Sequence, residues 1–231
     1  MGKKNICVVF DMDDTLYLER DYAYSGFRAV GKWSAEQMGL NGVQEQAQEL
    51  FDQGRRGDIF DATLERLGIV CDGKTISAMV RVYREHIPRI ELLPDTLECL
   101  ARLQEEVYLA LLTDGSAISQ WAKIDALGLR KQFCAIAVTG DWGIEYSKPH
   151  LKGYEYLESQ VRPCHGHFVY VADNPSKDFY APQTLGWNAI RVRRPAGLHV
   201  HKECSPDLVR FEATDLGSVP DLIAELYKMQ I

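Results

Sequence analysis

Five short runs of apolar residues punctuate the chain, at 6–10, 107–113, 133–138, 168–172 and 188–192. The first reads Ile-Cys-Val-Val-Phe and the fourth Phe-Val-Tyr-Val-Ala, β-branched and aromatic with no polar alternation. Such runs predict strands covered on both faces, as in a parallel sheet. Between the later runs the apolar residues recur at helical spacing. One such stretch is 116–127, closed by Gly128; a second is 151–159, with Pro149 near its first turn; a third is 177–185, made short or irregular by Pro182 and ending before Gly186. Strand and helix alternating from 107 onward predict βαβ units and a doubly wound sheet.

Residues 18–92 break this rhythm. They contain no strand-like run and read as helices over 21–37, 44–51, 59–66 and 75–86, punctuated by Gly39/Gly42, Gly54/Gly57 and Gly68/Gly73. Leu93-Pro94-Asp95-Thr96 then returns the chain to the alternating part and opens a helix over 96–103, and 222–229 forms a last amphipathic helix. The expectation is an α/β protein: a Rossmann-like parallel-sheet core made of 1–17 plus 93–231, with an inserted α-helical cap of 18–92.

Composition changes this picture little. The 231 residues are 46% hydrophobic and 26% charged, ordinary for a folded chain. The net charge of −7 speaks against a basic nucleic-acid face. No apolar run reaches the ~18 residues of a membrane span, and Met1-Gly2-Lys3-Lys4-Asn5 leads into no secretory apolar region. The chain therefore reads as cytoplasmic, with no membrane and no nucleic acid among its partners. The six cysteines are scattered, without a C-x-x-C, and are expected to be free thiols, with Cys7, Cys99 and Cys134 in apolar segments. Cys164-His165-Gly166-His167 and His199-Val200-His201 with Cys204 fit no zinc spacing and read as loop residues.

Charge matters locally. The first run ends in Asp11-Met12-Asp13-Asp14-Thr15. Two unit charges ~4 Å apart repel by about 4 kcal/mol at a protein-surface dielectric, so this cluster calls for a cation, a proton, or both. The second run ends in Thr113-Asp114, the fourth in Asp173-Asn174-Pro175-Ser176-Lys177-Asp178, and Lys148 stands before Pro149 in a loop. Parallel strands bring their carboxyl ends to one edge, so Asp11, Asp13, Thr113, Lys148, Asp173 and Asp178 are expected to converge. Phosphoryl transfer is the simplest chemistry for that set. Oxygen-only donors select Mg²⁺, and a carboxylate can attack phosphorus. A lysine and a hydroxyl can hold the equatorial oxygens, and a second carboxyl kept protonated can serve the leaving oxygen.

In their order these motifs resemble the haloacid dehalogenase (HAD) superfamily, in its phosphatase branch with a helical C1-type cap after the first strand. The resemblance extends over essentially the whole chain. It implies that Asp11 is the nucleophile and Asp13 the general acid/base, with Thr113 and Lys148 binding the phosphoryl group. It implies Mg²⁺ on Asp11, Asp173 and the backbone carbonyl of Asp13, with Asp178 supporting the metal or the lysine. Asp114, where the family often has Asn, is placed beside the substrate, and Ala172 replaces a common Gly. The implied activity is Mg²⁺-dependent hydrolysis of a small phosphomonoester, a sugar phosphate or nucleotide, through an aspartyl-phosphate. The alternatives are a phosphomutase or phosphotransferase on the same fold, or a non-enzymatic phospho-aspartyl signalling module. A dehalogenase has no use for an acid at Asp13. The expected partner is a small phosphorylated metabolite, with homo-oligomerisation left open. Substrate choice falls to the cap, whose polar candidates are Arg20, Tyr22, Tyr24, Arg28, Arg55 and Arg56, while Trp33 and Phe51 are expected in its own core.

Overall fold

A computed structural model describes residues 5–70, 72–161 and 167–228. Cys71, the Cys164-His165-Gly166 segment and Met229 lie outside the described residues. The chain divides into two compact units, one of residues 1–19 and 91–231, the other of residues 20–90.

The first unit is built on a six-stranded parallel sheet. Its strands are β1 (Cys7–Phe10), β2 (Tyr108–Thr113), β3 (Ala135–Val138), β4 (Phe168–Ala172), β5 (Asn188–Val192) and β6 (Phe211–Ala213), in the spatial order β3-β2-β1-β4-β5-β6. The five apolar runs are strands. β6 went unread because Phe-Glu-Ala is short and alternates, as suits an edge strand. The strand interiors are buried on both faces. Cys7, Val9, Ala110, Leu112, Tyr170 and Ala172 pack with Tyr154 and Leu157 of helix α7 (Lys152–Gln160) and Phe179 at the start of α8 (Tyr180–Thr184). The residues between them, such as Val8, Phe10, Leu111 and Val171, alternate to the other face and are equally buried.

Pro182 has the expected effect. α8 is a single short turn beginning at Tyr180, not at Lys177. Pro149 stands ahead of α7 rather than in its first turn. Helix α5 (Pro94–Leu103) opens on Pro94, whose missing N–H is harmless there, and α9 (Val219–Tyr227) carries Pro220 in the same way. Between β2 and β3 runs α6 (Ala117–Ala126).

The second unit contains most of α1 (Glu19–Met38), with α2 (Val43–Asp52), α3 (Ile59–Arg66) and α4 (Gly73–Glu85). Its centre is aromatic: the Phe27 ring lies 5.8 Å from Phe51, 6.2 Å from Phe60 and 5.6 Å from Tyr83. Gly26 permits this packing, because a Cβ there would come within 2.4 Å of the Tyr83 ring. Trp33 is only half-buried, and Ser34 beside it takes the inward position.

Among the described residues no helix is long and apolar enough to cross a membrane. Cys7 and Cys99 are buried free thiols, but Cys134 is exposed, just before β3 begins, rather than packed among apolar neighbours.

Candidate active site

β1 and β4 are the central pair of strands, and the chain reverses its progress across the sheet between them, the place where open α/β sheets bind ligands. Asp11 is the first residue past β1, and its N–H donates to the Val171 carbonyl at 2.9 Å. Lys148 places its Nζ 2.6 Å from Asp11 Oδ1 and 2.8 Å from Asp178 Oδ1, and donates to the Tyr170 hydroxyl at 2.9 Å. Asp178 closes the turn after β4 by accepting the Asn174 N–H at 2.9 Å. In that turn the Asp173 carbonyl accepts from Arg191 Nε at 3.3 Å. Asp173 Oδ2 and the Thr113 hydroxyl at the end of β2 are buried here without a hydrogen-bond partner.

Carboxylate oxygens of Asp11, Asp173 and Asp178 lie within 4.8 Å of one another, all buried. One ammonium among three acids does not neutralise them. Burial, with Asp178 adding to it against the pull of Lys148, pushes the Asp11 carboxyl up to about 7. Burial, followed by Asp178 and Asp11, holds Asp173 well above the carboxylate range. Burial opposes the charge of Lys148, but Asp11 and Asp178 outweigh it and hold the ammonium well above its ordinary value. A hard divalent cation suits an all-oxygen, over-acidic cluster with an unpartnered carboxylate oxygen, so these residues fit one.

Asp13 is turned into a different pocket. Its Oδ1 and Oδ2 accept from Lys123 Nζ at 2.7 and 3.0 Å, Oδ2 accepts from Gln120 Nε2 at 3.1 Å, and the Tyr17 hydroxyl donates to Oδ1. Burial opposes its charge, but Lys123 and these hydrogen bonds outweigh it and hold the carboxyl below its usual range. This corrects the expectation that Asp13 is kept protonated: its surroundings are donors, and they favour the anion. Its side chain also stands outside the acidic trio.

Asp114 differs from expectation too. Its Oδ1 accepts the Lys148 N–H at 3.0 Å and the Thr139 hydroxyl at 2.8 Å, and its Oδ2 pairs with Lys177 Nζ at 3.0 Å. Its carboxylate pins the Lys148 loop instead of standing open toward a substrate. Burial opposes its charge, yet Lys148 and Lys177 hold it low. Asp14, at a left-handed φ of 52° that aspartate tolerates, accepts the Glu19 N–H at 2.8 Å and the Leu198 N–H at 2.7 Å.

Most polar candidates of the helical unit are engaged within it. Tyr22 is buried with its hydroxyl on the Tyr83 carbonyl, Tyr24 donates to Asp52 at 2.6 Å, and Arg55 pairs with Asp58 at 2.6 Å. Arg56 lies 3.6 Å over the Phe51 ring and donates to the Phe51 carbonyl. Arg20 and Arg28 are exposed.

Lys123, Gln120, Tyr17, Tyr170, Lys177, Arg191 and Arg194 were not singled out from the sequence. The signal for Gln120 and Lys123 was present: they are polar residues one helical turn apart on the face of α6 that must pack inward. Arg191 is 1% exposed and also binds the carbonyls of His199 and Lys202. Arg194 grips the Thr15 carbonyl with Nε at 2.8 Å and Nη2 at 2.7 Å, and pairs with Asp95 at 2.9 Å.

A buried carboxylate after the first strand, a lysine against it and two more acids after the fourth make up the arrangement found here. The sequence matches the haloacid dehalogenase-like hydrolases over residues 7–185, and the chain belongs to that family. Within it, the chain is a phosphatase. It is 26% identical to a glyceraldehyde 3-phosphate phosphatase of Methanopyrus kandleri, over 96% of this chain and 98% of that one. It is 29% identical to a glyceraldehyde 3-phosphate phosphatase of Methanocaldococcus jannaschii, over 80% and 83%. The fold also matches the magnesium-bound HAD hydrolase YfnB of Bacillus subtilis, with a TM-score of 0.70 at 18% identity over 96% of this chain and 99% of that one.

Proposed function

We propose that this chain is a Mg²⁺-dependent phosphatase that hydrolyses a small phosphorylated metabolite through an aspartyl-phosphate on Asp11. The observation that carries the reading is the buried cluster of Asp11, Lys148, Asp173 and Asp178 at the sheet's switch point, beside the unpartnered Thr113 hydroxyl. Asp11, Asp173 and Asp178, with the backbone of Asp13, would hold Mg²⁺, which supplies charge neutralisation for the attacking carboxylate and the phosphoryl oxygens.

Asp11 attacks phosphorus with one carboxylate oxygen, and the bond to the leaving oxygen breaks. That oxygen takes a proton from the carboxylic form of Asp13, the scarcer form in its pocket of donors. Water then attacks the acyl phosphate and gives a proton to the Asp13 carboxylate. The P–O bond to Asp11 breaks, and inorganic phosphate leaves. Thr113 and Lys148 hold the equatorial oxygens. Lys148 also keeps Asp11 aimed, and Asp114 keeps Lys148 in place.

A sugar phosphate is the favoured substrate class, because three relatives aligned over 80% or more of the chain are phosphatases of a triose phosphate. The test is phosphate release from glyceraldehyde 3-phosphate, a panel of sugar phosphates and nucleotides, and p-nitrophenyl phosphate, with Mg²⁺ and with chelator, beside Asp11→Asn. Metal-dependent release that the variant lacks supports the reading. Isomerised sugar phosphate without free phosphate indicates a mutase, and a persistent phospho-Asp11 without turnover indicates a signalling module. Equal, metal-independent rates for both proteins would overturn the mechanism.

A further inference from the structure

α6 carries a feature that packing alone does not explain. Lysine is almost never fully buried without a partner, and removing an ammonium from water costs several kcal/mol. Yet Lys123 is 4% exposed, on the helix that follows β2. Its Nζ contacts both oxygens of the Asp13 carboxylate, at 2.7 and 3.0 Å, which fixes the rotation of that group as well as its position. Gln120, one turn earlier on the same face, donates to Asp13 Oδ2 at 3.1 Å, and the same amide reaches the Asp114 carbonyl. Tyr17 meets the carboxylate from its own segment.

The glycine after Asp114 makes room for this arrangement. Gly115 sits at φ +132°, and a Cβ on it would come within 2.7 Å of Gln120 Nε2. The turn that follows β2 is thus shaped around the Gln120 amide. That Gln120 and Gly115 serve Asp13 as well as their own backbone ties the second motif of the site to the first.

We propose that Lys123, supported by Gln120, is a positioning residue for the second carboxylate of the reaction: it acts on turnover only by holding the Asp13 carboxylate in the orientation that exchanges a proton with the leaving oxygen and the attacking water. The inference rests on the phosphatase reading above. It commits α6 to catalysis although the helix touches neither Asp11 nor Lys148 through these two residues. A misaligned acid hurts poor leaving groups most, since an alkyl alkoxide needs its proton and a nitrophenolate does not.

The experiment compares wild type, Lys123→Met, Gln120→Leu, Asp13→Ala and the Asp13→Ala/Lys123→Met double variant. The substrates are p-nitrophenyl phosphate and an alkyl phosphomonoester that the wild type hydrolyses, glyceraldehyde 3-phosphate first. Expected for Lys123→Met is a kcat/KM loss of about 10²-fold on the alkyl ester and about 10-fold or less on the aryl ester, since kcat/KM ends at phosphoenzyme formation, the step in which the leaving groups differ. Gln120→Leu, which buries no unpaired charge, shows the same ordering at about 5-fold on the alkyl ester. In the Asp13→Ala background, Lys123→Met costs no further rate on p-nitrophenyl phosphate, because residues acting as a unit are not additive. Equal losses of kcat/KM on the two esters, or a further loss in the Asp13→Ala background, overturn the proposal. Absence of phosphate release by the wild type, or its retention by Asp11→Asn, sinks the phosphatase reading instead. A thermal melt of each variant accompanies the rates, and the double-variant comparison stands even if Lys123→Met is the less stable protein.

Discussion

Two carboxylates leave the end of β1 two residues apart and enter opposite surroundings. Asp11 shares the Lys148 ammonium with Asp178, stands beside Asp173, and burial lifts its carboxyl to about 7. Asp13 lies against Lys123, Gln120 and Tyr17, with the nearby Glu19 carboxyl drawing on the same ammonium, and is held low. The same residue type on the same strand end is thus under-neutralised in one pocket and fully satisfied in the other. The division of labour proposed for them follows from this. The under-neutralised acid awaits a cation and an electrophile, while the satisfied one keeps a fixed orientation through two proton transfers.

The strongest way to break the contrast is Asp11→Asn. Phosphate release should fall by about 10⁴-fold or more, with no burst of leaving group, since no other carboxylate is placed to attack; a stopped-flow assay with p-nitrophenyl phosphate reads this directly. Lys148→Ala comes next. It leaves buried acids without their ammonium, so chemical denaturation should show a loss of about 3–5 kcal/mol. Turnover should fall by about 10²-fold or more, because both the aim of Asp11 and a phosphoryl-oxygen contact are lost.

Asp13→Asn should touch the other pocket alone. Rapid acid quench should trap phosphoenzyme formed from the aryl ester at near-normal rate, with its hydrolysis slowed about 10²-fold. Trapping no more than in wild type would contradict the base role.

The pH dependence of cation binding sharpens the comparison further. Asp11 stands above its unfolded carboxyl value of 3.8, so the metal-free native state holds that proton more tightly than the unfolded chain. The stability this contributes is present below the unfolded value and is lost as pH rises through about 7. A divalent ion competes with the same proton. The rise in melting temperature given by a fixed Mg²⁺ concentration should therefore grow as pH increases toward 7, with apparent affinity gaining about tenfold per pH unit for one displaced proton. A flat profile would place the cation elsewhere. The smallest effect is expected for Lys177→Met, whose target Asp114 is partly exposed: a change of about 3-fold in kcat/KM for p-nitrophenyl phosphate, from a loosened hold of Asp114 on the Lys148 loop.

The sheet was legible because parallel strands buried on both faces write themselves as continuous apolar runs, and their shared carboxyl edge follows from topology. The proposed nucleophile, the lysine and the acids of the fourth motif come together in the structure for that reason. Partners contributed by helices and strand interiors were harder to read. Tyr170 looks like a core residue in Val-Tyr-Val, and its hydroxyl on Lys148 depends on the loop before α7 reaching over the sheet. Gln120 and Lys123 are legible as polar residues on the inward face of α6, but only the position of that helix next to β1's end makes them partners of Asp13. The anionic state that the surroundings of Asp13 favour is hidden for the same reason, since crowding among Asp11, Asp13 and Asp14 is visible in the sequence and the distant donors that relieve it are not. Arginines of the helical unit suggested anion clamps, but local acids, carbonyls and rings already engage Arg55 and Arg56.

The arginines that follow and end β5 bear on how the protein comes into being. Every acid, hydroxyl and lysine assigned to the reaction has been synthesised by Asp178, yet the carbonyls of Asp173 and Thr15 are gripped by Arg191 and Arg194. A nascent chain that has just emerged through α8 therefore possesses its chemistry without the clasp that sets both acidic loops. The two acidic loops of the site are thus held from the far side of the sheet, by residues synthesised after every group they hold in place.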